Sequence, residues 1–122
     1  MNRQFVFHEP DHVDFDRFGQ TGKFFGTDSN KTGHLIIETV GGYQKSLIQH
    51  ERECNYYVID GSGKFIANGE AYPCSEGDLI VIPPGNVFTF EGNLKMLLIN
   101  TPTYTAEQSV ELPKVAAYKK PL

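Results

Sequence analysis

The alternation of apolar segments and turn-forming residues predicts a chain made almost wholly of β-strands. Turn signals recur about every eight to twelve residues, and the segments between them are rich in Val, Ile, Phe and Tyr, as in all-β sandwiches and barrels. The clearest turn is Asn68-Gly69, since Asn-Gly suits both positive-φ positions of a type I′ hairpin. Strands are expected at about 34–40, 43–50, 55–60, 64–68, 79–82, 87–91 and 94–100.

Two further segments carry specific expectations. Leu79–Ile82 is a continuous apolar run, which predicts a strand covered on both faces. Residues 106–112 are the one place that could hold a helical turn. The 122 residues suit a single domain spanning 1–122. We expect an N-terminal arm over 1–33 and a C-terminal arm over 102–122, which wraps the body or reaches a neighbour.

Charge and composition exclude several functions. The formal net charge is −4 and the isoelectric point is near 5.5, so a nucleic-acid backbone would be repelled. No segment is long and apolar enough to predict a membrane span, and the N-terminus lacks the pattern of a secretion signal. The expected location is therefore the cytoplasm, where Cys54 and Cys74 would remain unpaired thiols.

The spacing of glycines and candidate ligands resembles the first motif of the cupin superfamily. That motif is Gly, five residues, His-x-His, three or four residues, Glu, six residues and Gly. The matching positions in this chain are Gly42, Ile48, His50, Cys54 and Gly61.

A second group of residues is similar to the second cupin motif, which is Gly, five residues, Pro-x-Gly, two residues, His, three residues and Asn. The matching positions are Gly77, Pro83, Gly85, Phe88 and Gly92. Together the two motifs cover about residues 34–101. The resemblance implies a single-domain jelly-roll β-barrel.

The resemblance also identifies where a metal would bind. Metal-binding cupins use His, His, Glu and His, whereas this chain offers Ile48, His50, Cys54 and Phe88. A stable transition-metal site usually needs three or more protein ligands. We therefore expect no bound metal and no cofactor, although a β-bulge near Arg52 would turn Glu53 into the barrel.

Strand alternation predicts which side chains line the barrel interior. The expected lining is mostly apolar and aromatic with a few polar groups, as in small-molecule pockets. The predicted ligand-binding residues are Gln44, Ser46, Ile48, His50, Cys54, Tyr56, Phe88 and Phe90. The alternative is that Phe88 and Phe90 fill the interior themselves.

Three functional hypotheses follow from this lining. The favoured one is a metal-free cupin that binds a small molecule between His50, Tyr56 and Phe88. The second, implied by a likeness to cupin-type sugar epimerases and isomerases, uses His50 as base and Tyr56 as acid. The third is a degenerate metal-dependent oxygenase or a purely structural barrel.

The N-terminal segment predicts how the chain assembles. Residues Arg3–Phe7 form a short apolar strand with no partner inside the motifs. Cupins resemble one another in forming dimers through an N-terminal strand. We therefore expect a C2 homodimer in which this strand adds to the sheet of the other subunit.

Overall fold

The fold is antiparallel β throughout the part of the chain that the computed structural model describes, which is residues 4–27, 29, 31–102 and 109–113. These residues form nine strands and no helix. The strands are β1 Phe15–Arg17, β2 Gln20–Phe24, β3 Gly33–Thr39, β4 Lys45–Gln49, β5 Glu53–Ala67, β6 Glu70–Ser75, β7 Leu79–Ile82, β8 Val87–Thr101 and β9 Ser109–Pro113. The all-β prediction is confirmed.

All nine described strands belong to one sheet. Its main path runs β1-β2-β3-β8-β4-β9, and β5 pairs with β8 on one edge and with β6 and β7 on the other. The strand β9 includes residues 109–112 of the segment that could have held a helical turn. These residues are extended instead, because Ser109–Pro113 pairs with Lys45–Gln49 of β4. Residues 106–108 lie outside the described part.

The strands β5 and β8 are each 15 residues long, whereas the sequence predicted two short strands in each place. Gly61 (φ 93°) and Gly92 (φ 111°) lie at the middle of the paired strands. A side chain on Gly61 would clash with the carbonyl oxygen of Asn93, and one on Gly92 with that of Ser62. These glycines therefore permit a close, bent crossing within continuous strands instead of ending them.

The core lies on the inner face of this folded sheet. Val58 and Met96 are opposite each other on β5 and β8, and both are fully buried. Ile37 of β3 pairs with Met96 from the other side and is also buried. Burying an aliphatic side chain of this size contributes about 1.5–3 kcal/mol, so this layer stabilises the whole sheet.

The predicted orientation of the β4 side chains is wrong by one residue. Leu47 is directly opposite Phe88, and Ile48 is opposite Val87. Because Phe88 is in the core and Leu47 packs against it, Leu47 and not Ile48 faces inward. Opposed residues in an antiparallel pair share a face, which leaves Ile48 on the outer side.

The expectation that β7 is covered on both faces is also wrong. Ile80 and Ile82 face the core, while Leu79 and Val81 are 61% and 48% exposed. The strand pairs only with β5 among the described strands. It is therefore an edge strand with an uncovered outer face.

The N-terminal segment is attached to the outer face by charge. The Glu9 carboxylate lies 2.7 Å from Lys23 Nζ and 3.0 Å from Lys95 Nζ. These two lysines lower the pKa of Glu9, mainly through hydrogen bonds from their ammonium groups. The described residues 4–7 form no strand in this chain, and Phe5 and Val6 are 80% and 68% exposed.

Candidate functional site

The polar members of the predicted site are spread over different surfaces. Gln44 and His50 are exposed, and His50 lies after the end of β4. Ser46 is buried and Ile48 is half-buried, both on the face of β4 opposite to Leu47. The structure therefore does not bring His50 into the barrel interior.

The apolar and aromatic members do meet, but they fill the interior. The rings of Tyr56, Phe88 and Phe90 are all buried. Phe65, which was not among the predicted site residues, packs between them, with ring centroids 5.0 Å from Tyr56 and from Phe90. Its ring also stacks on Phe88 at 6.4 Å. These four rings pack against one another in the space that was expected to hold a ligand.

Burial also suppresses ionisation of the polar groups in this cluster. It raises the pKa of the Cys54 thiol to about 12, with Arg52 opposing the shift and Glu53 adding to it. Burial likewise raises the pKa of Tyr56 well above its ordinary value. Both groups are therefore neutral near pH 7. Of the predicted base and acid, His50 is exposed and Tyr56 is buried.

Two buried polar side chains between β4 and β5, those of Gln49 and Arg52, were not predicted from the sequence. Arg52 is fully buried, and its Nη1 donates to Gln49 Oε1 at 2.5 Å. Its Nε donates to the carbonyl oxygen of Pro102 at 3.2 Å, which ties the turn before β5 to the C-terminal segment. Because arginine is rarely fully buried unless it is paired, the residue type alone predicted an exposed side chain at position 52.

Glu53 does not turn into the interior. It accepts a hydrogen bond from Asn55 Nδ2 at 3.2 Å, and both belong to the face of β5 opposite to Cys54. The irregularity in β5 occurs between Val58 and Asp60, where the pairing with β8 shifts by one residue. The bulge thus falls too late in the strand to re-aim Glu53.

An open cavity of about 750 Å³ lies inside the bend formed by β6 and β7. The turn between these strands also bonds to β5, since Gly77 N donates to Val58 O and Val58 N to Asp78 O, each at 2.9 Å. β6, the turn and β7 thus follow β5 as one bent edge. Its base is apolar and consists of Phe65, Ala67, Ile80 and Ile82.

One end of the cavity is held by a pair of amides. Asn68 Nδ2 donates to Asn86 Oδ1 at 2.7 Å, and Asn86 Nδ2 donates to the Pro83 carbonyl at 3.0 Å. Asn68 Oδ1 accepts from Val87 N at 3.1 Å. Asn68 and Gly69 have φ of 50° and 86°, as the predicted type I′ turn requires. The hairpin is thereby fixed against the start of β8.

The other side of the cavity is acidic. Tyr72 donates its hydroxyl to Glu70 Oε2 at 2.9 Å, and this bond raises the pKa of the Tyr72 phenol. Asp78 Oδ2 accepts from Ser75 N at 2.8 Å. Cys74 also lines the cavity, and burial raises the pKa of its thiol. The Asn-Gly turn signalled this hairpin, but nothing in the pattern showed that its inner side borders a cavity.

Metal ligands are not clustered in the described part of the chain. No group of three or more His, Cys, Asp or Glu side chains is close enough to hold an ion among these residues. Cys54 and Cys74 are both free thiols. Among the same residues no helix is long and apolar enough to cross a membrane.

Comparisons with known proteins agree with the fold. The family model described as the Cupin domain matches residues 34–100. No curated protein matches the chain significantly.

Solved structures are similar over most of the chain. A variant of Pac13 from Streptomyces, solved with uridine, is 21% identical, with 89% of this chain and 91% of that chain covered and a TM-score of 0.82. Pac13 is described as a nucleoside dehydratase. KdgF from Halomonas is 18% identical, with 85% of this chain and 98% of that chain covered and a TM-score of 0.71. At these identities the likeness shows the fold alone.

Proposed function

The chain belongs to the cupin family, because the Cupin domain model matches more than half of its residues, and from this premise we propose that it binds a small organic molecule in the cavity between β6 and β7. The observation that carries the proposal is the cavity itself. Its volume of about 750 Å³ lies within the usual range for ligand pockets. Its apolar base and polar sides also match the usual composition of such sites.

The predicted binding residues take part in this proposal indirectly. Tyr56, Phe88 and Phe90 pack behind Phe65, which forms the base of the cavity. They therefore hold the apolar wall in place without touching the ligand. His50 is exposed and is not among the residues that line the cavity, so its position gives no support to the isomerase hypothesis.

Uridine is a suitable probe, because Pac13 is a structural neighbour solved with it and because its size fits the cavity. We expect uridine, titrated into ¹⁵N-labelled protein, to shift backbone signals of β6, β7 and the Asn68-Gly69 turn. Ala67 lines the cavity, so Ala67→Phe should weaken binding by at least about tenfold by taking up ligand volume.

The matched control is Ala71→Phe, on the same hairpin. Ala71 is exposed and is not part of the cavity lining, so the added ring should change the affinity by less than about twofold, as expected for surface substitutions. Shifts centred away from the cavity, or an equal loss in both variants, would show that the cavity is not the binding site.

We further propose a C2 homodimer in which the N-terminal segment adds to the sheet of the second subunit. The uncovered outer side of β7 supports it, since Leu79 and Val81 are exposed on a strand with one paired edge among the described strands. The exposure of Phe5 and Val6 supplies a matching apolar segment.

The free thiols of Cys54 and Cys74 support a reducing, cytoplasmic location.

A further inference from the structure

The charges that line the cavity indicate which class of ligand it accepts. We propose that Glu70 and Asp78 make the cavity selective for uncharged and positively charged molecules over anions. This inference rests on the binding function proposed above and adds the charge of the ligand to it.

Glu70 is a fixed negative charge on the inner side of β6. It is the first residue of that strand and lies opposite Ala67, which also lines the cavity. The Tyr72 hydroxyl donates to its Oε2 at 2.9 Å. Among the described residues no group donates to Oε1, so one carboxylate oxygen is available to a donor on the ligand.

Asp78 supplies a second negative charge from the turn that precedes β7. Its Oδ2 accepts the backbone N–H of Ser75 at 2.8 Å, which orients the carboxylate. Within the described part of the chain no hydrogen bond is made to its Oδ1. The cavity therefore has two oriented carboxylates, one from β6 and one from the β6–β7 turn.

No positive charge offsets these carboxylates in the lining. None of the described residues that line the cavity is Lys, Arg or His. Phosphate and carboxylate ligands are usually held by such side chains or by helix N-termini, and the described lining offers neither. Glu70 and Asp78 are exposed to solvent, so their attraction of cations and repulsion of anions are strongest at low ionic strength.

Three nucleosides or nucleotides that differ only in the substituent at the 5′ carbon test the inference. These are 5′-amino-5′-deoxyuridine, which is cationic at pH 7, uridine, and uridine 5′-monophosphate. By calorimetry at low ionic strength, the amine should bind about three- to tenfold more tightly than uridine, and the monophosphate at least about tenfold more weakly. In about 0.5 M NaCl these differences should shrink, because salt screens exposed charges.

The double variant Glu70→Gln with Asp78→Asn assigns the effect to these residues. Both amides keep an acceptor oxygen for Tyr72 and Ser75, so the fold is preserved while the charges are removed. The three affinities should then agree within about threefold, since the Coulomb difference is gone. The matched control, Glu38→Gln with Glu51→Gln, removes two exposed acids that do not line the cavity and should keep the differences.

The outcomes separate this inference from the proposed function. Equal affinities for the three ligands in the wild-type protein would overturn the charge inference and leave small-molecule binding intact. Differences that persist in the Glu70→Gln, Asp78→Asn variant would overturn the assignment to these carboxylates. Failure of all three ligands to bind would overturn the proposed function and the inference together.

Discussion

Cys54 shows how burial changes the chemistry of a single residue. It occupies the position of an acidic metal ligand in the cupin motif, yet it is a buried thiol whose pKa is raised from 9.0 to about 12. Its burial thus favours the protonated form. A thiol in this state is a poor nucleophile and a poor metal ligand, so its role is to pack beside Tyr56 and Ile82.

This shift predicts a loss of stability at high pH. Between about pH 9 and 12 the unfolded chain loses the Cys54 proton while the folded chain keeps it. The unfolded state therefore binds fewer protons, and the free energy of unfolding falls by up to about 1.4 kcal/mol per pH unit. The stabilisation is fully present below about pH 9 and disappears as the pH approaches 12.

Urea unfolding at pH values from 8.5 to 10.5 measures this slope. In Cys54→Ala the free energy of unfolding should fall less steeply with pH than in the wild type, whatever the variant does to stability at neutral pH. Cys74→Ala is the matched control, and it should change the slope less, because Cys74 borders the open cavity. Identical slopes in wild type and Cys54→Ala would contradict the account.

At the scale of the strand, the sequence allowed two registers for β4. The pair Gly41-Gly42 lets the first cupin motif start at either glycine, because three or four residues are permitted before its acidic position. Starting at Gly41 places Leu47 and Gln49 at the two histidine positions. The structure adopts this register, with Leu47 opposite Phe88, and the short, half-buried β4 gave no apolar alternation that would have decided between them.

Paired histidines test the register directly. Leu47→His with Phe88→His places two imidazoles opposite each other on one face, about 4.5–5.5 Å apart at Cβ, and should bind Zn²⁺ or Ni²⁺ measurably. Ile48→His with Phe88→His carries the same substitutions in number and type but places them on opposite faces. Equilibrium dialysis should show at least about tenfold weaker metal binding in the second variant. Equal binding would show that the pairing is wrong.

Strand positions were predictable where apolar segments lie between turn-forming residues, as at Gly33–Thr39, Leu79–Ile82 and the Asn68-Gly69 hairpin. The continuity of β5 and β8 was not, because Gly61 and Gly92 have the same sequence signature in a bent strand as in a turn. The cavity was not predictable either. It depends on Phe65 filling the interior and on the bend of β6 and β7, which are consequences of packing between distant segments.

For the whole molecule, the exposed N-terminal segment and the open edge of β7 have the same explanation if a second copy covers both. An isolated chain would leave Phe5, Val6, Leu79 and Val81 in water. Unpaired strand edges with apolar outer faces tend to associate. Part of the predicted strand, at residue 3, lies outside the described residues, whereas Val6 lies within them.

A matched pair of valines tests this assembly. Val6 is 68% exposed in the N-terminal segment, and Val40 is 83% exposed in a loop after β3. Neither substitution by Asp should alter the stability of the single chain by more than about 0.5 kcal/mol. Val6→Asp should convert the dimer to monomer in sedimentation velocity at micromolar concentration, because a carboxylate would be buried at the interface without a partner. Val40→Asp should remain dimeric, and a wild-type protein of monomeric mass would remove the dimer altogether.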